Sequence, residues 1–181
     1  MEKYSWPWYE IADGNESLLQ GDFINTCPVV IPPKAYAPQE KIQANVIEYD
    51  VVIMSQSCDL AQKKLDLVLV CPVWLFSEFK KRNDFFKSRK GREALSQGNV
   101  PGYHLLNKCS LNGFKTDYLI VDFRSVYSVP FEFIQDLAKE RGERLRLLPP
   151  YREHLSQGFA RFFMRVGLPV DIPSFMTESE A

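Results

Sequence analysis

Short apolar runs separated by polar turns dominate this chain, and they predict a fold built mainly from β-strands. The clearest run, residues 51–54, has four apolar residues, three of them β-branched, and ends abruptly in a polar cluster. A run of this kind is typical of a strand that is buried on both faces. Similar runs predict further strands at residues 23–31, 65–74, 103–106 and 118–123.

Prolines indicate where these strands lie and where helices begin. Pro28 has no N–H for a sheet ladder, so the strand that contains it should lie on an edge or end early. A proline-rich stretch follows and predicts a loop up to about residue 44. Two later prolines each open a stretch of helical periodicity, which predicts a short helix at 131–141 and a C-terminal amphipathic helix at 151–166.

The segment over about 75–98 differs from the rest of the chain because basic residues and phenylalanines are interleaved in it at helical spacing. Seven Lys or Arg residues stand against three carboxylates, which predicts a basic helical insert. Three interpretations stay open: a solvated face, a surface for an acidic protein, or a surface where cations meet nucleic-acid phosphates. The candidate binding cations are Lys80, Lys81, Lys87, Arg89 and Lys90.

The polar cluster after the buried strand is the first candidate site. It comprises Ser55, Gln56, Ser57, Cys58 and Asp59. One interpretation is a polar loop whose serines and aspartate cap turns. A second is a binding loop in which Ser55, Gln56 and Ser57 supply the contacts, since loops on a rigid scaffold commonly carry function.

A third interpretation of this cluster is a cysteine nucleophile at Cys58. Its base would be His104 or His154, and Asp59 would orient that base. A carboxylate next to a thiol disfavours the nucleophilic thiolate, which weakens this interpretation. Cys58 and Asp59 are nevertheless kept as candidate catalytic residues of a cysteine-dependent hydrolase.

Composition narrows the class of protein. With 181 residues, of which 45% are hydrophobic and 25% charged, the chain fits one globular domain. Its net charge of −1 gives no overall field for nucleic acid or membrane, so such binding requires a local patch. The first ten residues lack the apolar core of a signal peptide, and no run approaches the ~20 residues of a membrane span.

The four cysteines contain no Cys-x-x-Cys pair. Because the first ten residues do not have the pattern of a signal peptide, we expect reduced thiols in a cytoplasmic protein. Zinc held by scattered cysteines together with His104 or His154 has no support from the spacing, so we predict no metal and no other cofactor.

Four short segments resemble the MazF/PemK toxin family. Gly21-Asp22-Phe23-Ile24 is similar to that family's opening Gly-Asp-Ile strand, and residues 50–55 are similar to its second strand, which ends in a Val-Leu-Ser type of sequence. Residues 67–72 resemble its third strand, which is apolar and closes with a proline. Residues 117–131 resemble a later strand and the turn into a short helix. The resemblance covers about two thirds of the chain.

The resemblance implies a fold. We expect an α+β protein, a small SH3-like, MazF-like β-barrel decorated with the basic helical insert and the C-terminal amphipathic helix. The barrel domain would span residues 1–170, with the insert at about 75–98, and residues 171–181 would form a flexible tail. The family resemblance also implies a homodimer.

Two departures from the family bear on activity. Members that cut RNA carry an Arg-Pro pair before the second strand, where the arginine serves the cleaved phosphate, and this chain has Tyr49-Asp50 there. A carboxylate at that place would repel a phosphate. The Thr or Ser that usually follows the third-strand proline is replaced by Val73-Trp74. If another arginine serves a phosphate, Arg124 is the candidate.

These features together predict a binding module. We expect it to bind RNA or a protein partner, such as an antitoxin or regulator, in a bacterial toxin–antitoxin, antiphage-defence or regulatory system, a setting implied by the resemblance alone. The alternative is a metal-independent endoribonuclease, in which a base takes the 2′-hydroxyl proton and a cation steadies the phosphate. The second alternative is the hydrolase centred on Cys58.

Overall fold

The structure, a computed structural model, describes residues 6–35 and 43–164. This part of the chain contains eight β-strands, five α-helices and one 3₁₀ turn, Asp84–Lys87. The strands are β1 (Tyr9–Ala12), β2 (Phe23–Ile31), β3 (Asn45–Ile53), β4 (Leu67–Leu75), β5 (Tyr103–Leu106), β6 (Leu119–Asp122), β7 (Tyr127–Pro130) and β8 (Arg144–Leu147). The helices are α1 (Ser57–Ala61), α2 (Phe76–Arg82), α3 (Arg89–Ser96), α4 (Phe131–Arg141) and α5 (Tyr151–Phe163).

Antiparallel pairing joins six strands into one sheet, in which β4 is the central strand. The first half of β4 pairs with β7, its middle with β3 and its second half with β6. The strand order is β2-β3-β4-β6-β5, with β7 beside β4, while β1 and β8 form a separate two-stranded sheet. Within the described residues the path is open between β2 and β5. The mixed α+β class is therefore confirmed, but the sheet is not the closed barrel that the resemblance implies.

The predicted helices are largely confirmed. α2, the 3₁₀ turn and α3 form the expected insert between β4 and β5, and α4 has the predicted bounds. α5 ends at Phe163 rather than at residue 166, and the predicted tail over 171–181 lies outside the described residues. No helix in the two described ranges is long and apolar enough to cross a lipid bilayer.

The C-terminal half of β3 is buried on both faces, as its apolar run predicts. Val51, Val52 and Ile53 are fully buried. Because successive side chains in a strand point to opposite faces, Val52 enters the core on one side of the sheet while Val51 and Ile53 enter the core beneath α4. The polar cluster therefore starts where a rigid, doubly covered strand ends.

β2 is an edge strand, which accommodates Pro28 in its middle. A β-bulge between Ile24 and Cys27 places Thr26 in the left-handed region, at a φ of 48°. The backbone N–H of Thr26 donates to Oδ1 of Asp50 at 2.9 Å. Asp50, the residue at which the resemblance led us to expect an arginine, therefore stabilises this bulge.

A turn after Asp122 separates β6 from β7. Both strands pair antiparallel with β4. Tyr127 follows Val121 by six residues, but their partners on β4, Val70 and Val73, are only three residues apart. The extra residues form the turn, in which Oδ1 of Asp122 accepts the N–H of Arg124 at 3.0 Å. This excursion carries Arg124 out of the sheet.

A buried ion cluster joins the start of β2 to β8. Asp22 is fully buried, and Arg144 and Arg146 are 3% and 5% exposed. Nε of Arg144 donates to Oδ2 of Asp22 at 2.7 Å, and Nε of Arg146 donates to Oδ1 at 2.6 Å. The half-exposed Glu16 accepts a further bond from Nη1 of Arg146 at 2.9 Å. Glu10 lies 3.8 Å from the same nitrogen of Arg146, so the two cations are paired with one buried and two partly exposed carboxylates.

The same cluster fixes the segment that precedes β2. The terminal nitrogens of Arg144 donate to three backbone carbonyls of residues 13–17 at distances between 2.7 and 3.1 Å. The N–H of Leu19 donates to Oδ2 of Asp22 at 3.1 Å. Buried charges are tolerated when they are both paired and hydrogen-bonded, and this cluster meets both conditions. One carboxylate thus holds residues 13–19, β2 and β8 together.

Replacing Asp22 with asparagine should destabilise the fold strongly. The substitution preserves the size of the side chain but removes the buried carboxylate from two buried guanidinium groups and leaves them the half-exposed Glu10 and Glu16, so the free energy of unfolding should fall by about 3–5 kcal/mol. Chemical denaturation followed by tryptophan fluorescence measures this decrease.

The matched control for this substitution is Asp136→Asn on α4. It removes an exposed carboxylate that pairs with Lys139 and should change the free energy of unfolding by less than about 1 kcal/mol. Equal effects of the two substitutions would contradict a central role for the buried cluster.

Candidate functional site

The two serines of the polar cluster after β3 accept hydrogen bonds from backbone N–H groups of neighbouring segments. Oγ of Ser55 accepts the N–H of Leu69 at 2.8 Å, and Oγ of Ser57 accepts the N–H of Gln20 at 3.1 Å. The segment interpreted as a loop begins α1 at Ser57. These two candidate binding residues therefore connect the end of β3 and the start of α1 to neighbouring strands and turns.

Gln56 and Cys58 are exposed and line a cavity of about 430 Å³ between α1 and α5. Sγ of Cys58 lies 3.8 Å from Oδ1 of Asp59, its partner in the described structure. Neither His104 nor His154 lines this cavity. The cysteine-hydrolase hypothesis therefore gains no base from the arrangement around the thiol.

The other cysteines are core residues. Cys27, Cys71 and Cys109 are buried, and all four cysteines are free thiols, as expected. Burial raises the pKa of Cys27 to about 11 and that of Cys71 to about 12, so both stay protonated at neutral pH. Among the described residues, no three His, Cys, Asp or Glu side chains are grouped closely enough to hold a metal ion.

Two phenylalanines of the basic insert are core residues. Phe79 and Phe86 are buried and pack against residues of α3, β5 and β6. Gly91 lets α3 approach the 3₁₀ turn, because a β-carbon there would overlap the carbonyl oxygen of Phe85. The insert is thus a packed element, and Phe85, 47% exposed, is the ring it leaves open to solvent.

The candidate cations of the insert remain available to a ligand. Lys87 and Arg89 each pair with an exposed carboxylate of the insert, Arg89 at 2.8 Å. Exposed pairs of this kind contribute only ~0–1 kcal/mol, so a polyanion can replace the partner. Lys80, Lys81 and Lys90 have no carboxylate partner within the described ranges.

Arg124 is held by its neighbours. Its Nε and Nη2 donate to Oδ1 and Oδ2 of Asp122 at 3.1 and 3.2 Å, and its guanidinium lies 4.3 Å from the ring centre of Tyr103. The hydrogen bonds to Asp122 raise the pKa of Arg124. The bidentate carboxylate of Asp122 neutralises the charge of the guanidinium. Arg124 therefore attracts a phosphate less strongly than an unpaired arginine at this position would.

The chain has two histidines, and the structure brings both to one place. His104 on β5 and His154 on α5 line the same two adjacent cavities, each of about 390 Å³. His104 is half-buried beneath α5, and His154 is exposed. Neither imidazole forms a hydrogen bond to the described part of the chain, so both are available to a ligand.

A glycine inside α5 permits this arrangement. A β-carbon at Gly158 would lie 3.0 Å from Nδ1 of His104 and 3.3 Å from Cε2 of Phe123. Glycine in a helix interior costs about 1 kcal/mol relative to alanine, so its presence here needs a packing reason. The reason is the close approach of α5 to the His104 ring.

The environment of His104 sets its charge. Burial beneath α5 lowers the pKa of His104 to about 4, and the nearby His154 contributes to this shift. His104 is therefore neutral at pH 7. A neutral imidazole has one nitrogen that can accept a hydrogen bond or a proton.

A third cavity, of about 360 Å³, shares lining residues with the first, and we call the three together the histidine groove. Arg161 of α5 lines one end of the groove, and Arg89 and Arg92 of the insert line the other. Trp8 and Tyr151 line its middle and stack on each other with ring centres 3.6 Å apart. The groove therefore combines cations with aromatic surface.

Carboxylates are absent from the described lining of the two histidine-bearing cavities. Glu93, in the third cavity, is paired with Arg89. The chain has 23 acidic and 22 basic residues, so this local exclusion of acidic groups is a property of the groove and not of the composition. An anionic ligand would meet no like charge beside the histidines, and the electrostatics there favour an anion.

Sequence reasoning missed this site. Helical periodicity places His154 and Arg161 on the side of α5 opposite its aromatic face, which suggests a solvated surface. In the structure both residues line a cavity that also contains Phe123. The available signal was Gly158, a glycine in the middle of a strong helical pattern, which indicates a close approach by another element.

Neither a scan of protein-family models nor a search of curated proteins finds a match for this chain. The resemblance to MazF/PemK toxins accordingly stays a prediction. Inferences about the function of the histidine groove therefore depend on the geometry of the groove alone.

Substitution of Gly158 with alanine should displace the His104 ring. The new methyl group would lie 3.0 Å from Nδ1, so the imidazole signals of His104 should shift in two-dimensional NMR spectra. The clash should cancel the stability gain of about 1 kcal/mol that is normally expected for this substitution in a helix. The control is Ala160→Gly at an exposed position of α5, which should cost about 1 kcal/mol and leave His104 unmoved. A full gain with unchanged His104 signals would contradict the packing role.

His104 should stay neutral until the pH falls to about 4, whereas an unfolded histidine titrates near 6.5. The unfolded state binds more protons between these two values, so the free energy of unfolding should decrease as the pH falls from about 6.5 towards 4. NMR titration of the two imidazoles measures the pKa directly, and His104→Gln should remove this part of the pH dependence. A pKa for His104 near 6.5 would argue against burial beneath α5.

Proposed function

We propose that the histidine groove binds single-stranded RNA. The observation that supports this most directly is its lining: both histidines, Arg161 and stacked aromatic rings, without a carboxylate in the two histidine-bearing cavities of the described structure. RNA has the complementary chemistry. Its phosphates suit the cations, and its bases suit the aromatic rings.

The dimensions of the groove favour a single strand over a duplex. Its cavities measure between about 360 and 390 Å³, within the range of pockets that enclose small ligands. The bases of a single strand can leave the stack and enter such cavities, whereas paired bases cannot. Gln97, Asn107 and Gln157 also line the groove, and amide side chains offer donors and acceptors to base edges.

The basic insert extends the proposed binding surface. Arg89 and Arg92 line the end of the groove that adjoins α3, and Nη1 of Arg92 donates to the carbonyl of Lys87 at 2.7 Å. The insert lysines lie outside the groove. Cations at such positions would contact RNA phosphates and add salt-dependent affinity, but they would not recognise the base sequence.

The fold proposal is a divergent and open form of a MazF/PemK-like barrel. The segments that resemble this family correspond to β2, β3, β4 and the β6–β7 pair, and these strands are neighbours in the sheet. This adjacency supports the fold proposal. From the resemblance alone we propose a role in a bacterial toxin–antitoxin, antiphage-defence or regulatory system. A homodimer belongs to the same proposal.

A protein partner is the second candidate function, and a separate observation favours it. Val30 of β2 and Val46 of β3 lie directly opposite each other and are 63% and 64% exposed. Ile47 beside them is 41% exposed. An apolar cross-strand pair that protrudes into water suits a protein contact more than a nucleic-acid contact.

RNA binding should depend on Arg161. In fluorescence anisotropy with a labelled single-stranded RNA of about twelve nucleotides, Arg161→Glu should weaken binding at least about tenfold, because the variant removes one charge-assisted hydrogen bond and introduces a like charge.

Reversal of Lys80, Lys81, Lys87 and Lys90 to Glu should lower the slope of log affinity against log salt by about 0.7 for each phosphate that the variant no longer neutralises.

The control for both variants is Lys139→Glu. Lys139 lies on α4 outside the groove lining and should leave binding unchanged. Wild-type affinity in Arg161→Glu would place the RNA elsewhere, and equal affinity for a duplex of the same sequence would contradict the proposed single-strand preference.

A further inference from the structure

The third cavity of the histidine groove differs from the other two because a carboxylate, that of Glu93, lines it. We call it the insert cavity, because α3 of the basic insert supplies most of its lining, including Arg89 and Arg92, while Leu105 and Tyr118 lie on its other side in the chain. Its volume of about 360 Å³ is within the range of pockets that enclose small ligands. A carboxylate repels phosphates, so Glu93 has to contact another part of a bound RNA.

We propose that the insert cavity binds a guanine base and that Glu93 selects guanine over the other three bases. The guanine belongs to the RNA strand in the groove, so this inference rests on the RNA binding proposed above. A free guanine nucleotide carries the same base, and the experiment below separates these two sources. The inference assigns a base specificity to a site whose other cations bind phosphates without regard to sequence.

The hydrogen-bonding capacity of Glu93 matches the pairing edge of guanine. That edge has two neighbouring donors, N1–H and the N2 amino group, whereas adenine, cytosine and uracil each place an acceptor beside their donor. A carboxylate only accepts hydrogen bonds, and its two oxygens have about four lone-pair sites. Oε1 of Glu93 uses one of these sites for Nε of Arg89 at 2.8 Å. The remaining sites can accept both guanine donors, and they disfavour the acceptors of the other bases.

The arginines of the insert cavity suit the opposite edge of the same base. Guanine O6 and N7 are both acceptors, and arginine donating to this pair is the commonest specific contact to guanine. Nη1 of Arg92 donates to the carbonyl of Lys87 at 2.7 Å, which holds the guanidinium in place. A guanidinium has five N–H groups, so others remain for O6 and N7. A lysine or arginine of a protein partner would also satisfy Glu93, but Arg89 and Arg92 would repel it.

The apolar part of the insert cavity suits the face of a base. Leu95 is buried, and Leu105 packs against the same core cluster. Tyr118 is 38% exposed and offers a ring on which a base can stack. Nζ of Lys108 lies 4.9 Å from the centre of this ring, and the carbonyl of Tyr118 accepts the N–H of Phe76 at 2.8 Å. These contacts restrain Tyr118, so little conformational entropy is lost when a base stacks on it.

The insert cavity continues into the rest of the groove. It shares Leu95, Ser96, Leu105 and Tyr118 with the neighbouring cavity that both histidines line. A single strand whose phosphates lie beside the cations of α5 can therefore place one base in the insert cavity. Phosphate binding and base selection then occur at different parts of one continuous site.

The test compares labelled twelve-nucleotide RNAs on the full chain by fluorescence anisotropy. All are oligouridine except at one central position, which carries guanine, adenine, cytosine, uracil or hypoxanthine. Hypoxanthine keeps N1–H, O6 and N7 of guanine but lacks the N2 amino group, so it removes one of the two contacts to Glu93. The variant is Glu93→Gln. Its matched control is Glu78→Gln, which neutralises an exposed carboxylate on α2 of the same insert, outside the lining of the groove.

We expect the wild type to bind the guanine RNA at least about tenfold more tightly than the adenine, cytosine and uracil RNAs, with the hypoxanthine RNA in between. Glu93→Gln should weaken binding of the guanine RNA at least about fivefold, because the amide presents a donor to guanine donors. The same variant should strengthen binding of the uracil RNA, because it removes a charge that repels phosphates. Glu78→Gln should retain the guanine preference. Equal strengthening of all RNAs in Glu93→Gln would show general repulsion alone and overturn the inference.

The failures of the two proposals are distinguishable. If all the RNAs bind with equal affinity, the guanine inference is wrong and RNA binding stands. If no RNA binds, calorimetry with 5′-GMP and 5′-AMP decides the source of the base. Preference for 5′-GMP that is lost in Glu93→Gln would then show a guanine site for a free nucleotide and contradict RNA binding. If neither the RNAs nor 5′-GMP bind, both proposals are wrong.

A second pair of variants covers the case in which Glu93→Gln disturbs α3, and circular dichroism checks the fold of each variant. Tyr118→Ala removes the stacking ring and should weaken binding of the guanine RNA at least about fivefold. Tyr118→Phe restores the ring and should restore that affinity. Equal affinity of the guanine RNA for wild type and Tyr118→Ala would show that no base stacks in the insert cavity and would overturn the inference.

Discussion

The buried carboxylate of Asp22 is the constraint on which the rest of the structure depends. It receives both arginines of β8 and a backbone N–H of the preceding turn, and its own side chain is fully buried. β8 leads directly into α5, and the N–H of Leu147 donates to the carbonyl of Gly21 at 2.9 Å. The position of α5, and with it the position of His154, therefore follows from an ion cluster that joins β8 to Asp22 near the start of the sequence.

The same constraint produces the histidine groove. α5 approaches β5 so closely that a β-carbon at position 158 would lie 3.0 Å from Nδ1 of His104, and this approach covers His104. Covering the ring keeps it neutral, while the neighbouring turn of the helix keeps His154 exposed. His104 and His154 thus differ in exposure because α5 packs over the first ring and leaves the second in solvent. A site of this type needs a rigid helix, which the buried cluster and the stack of Trp8 on Tyr151 supply.

Two positions that the family resemblance singles out have structural roles in this protein. Asp50 stabilises the bulge of β2, and Arg124 is engaged by Asp122 and Tyr103. The histidine groove is built mainly from β5, α3 and α5, which lie outside the four segments that carry the resemblance. If the chain descends from a MazF/PemK-like barrel, its functional surface has moved towards the helices that decorate the sheet.

The sequence by itself determined the local elements. The apolar run of β3, the edge position of Pro28, the helical insert and the bounds of α4 were all predictable, because each depends on side-chain periodicity or on the missing N–H of proline. Periodicity cannot show which distant segments meet. The open path of the sheet, the pairing of Asp22 with β8 and the meeting of His104 with His154 join residues far apart in the chain, so only tertiary packing decided them.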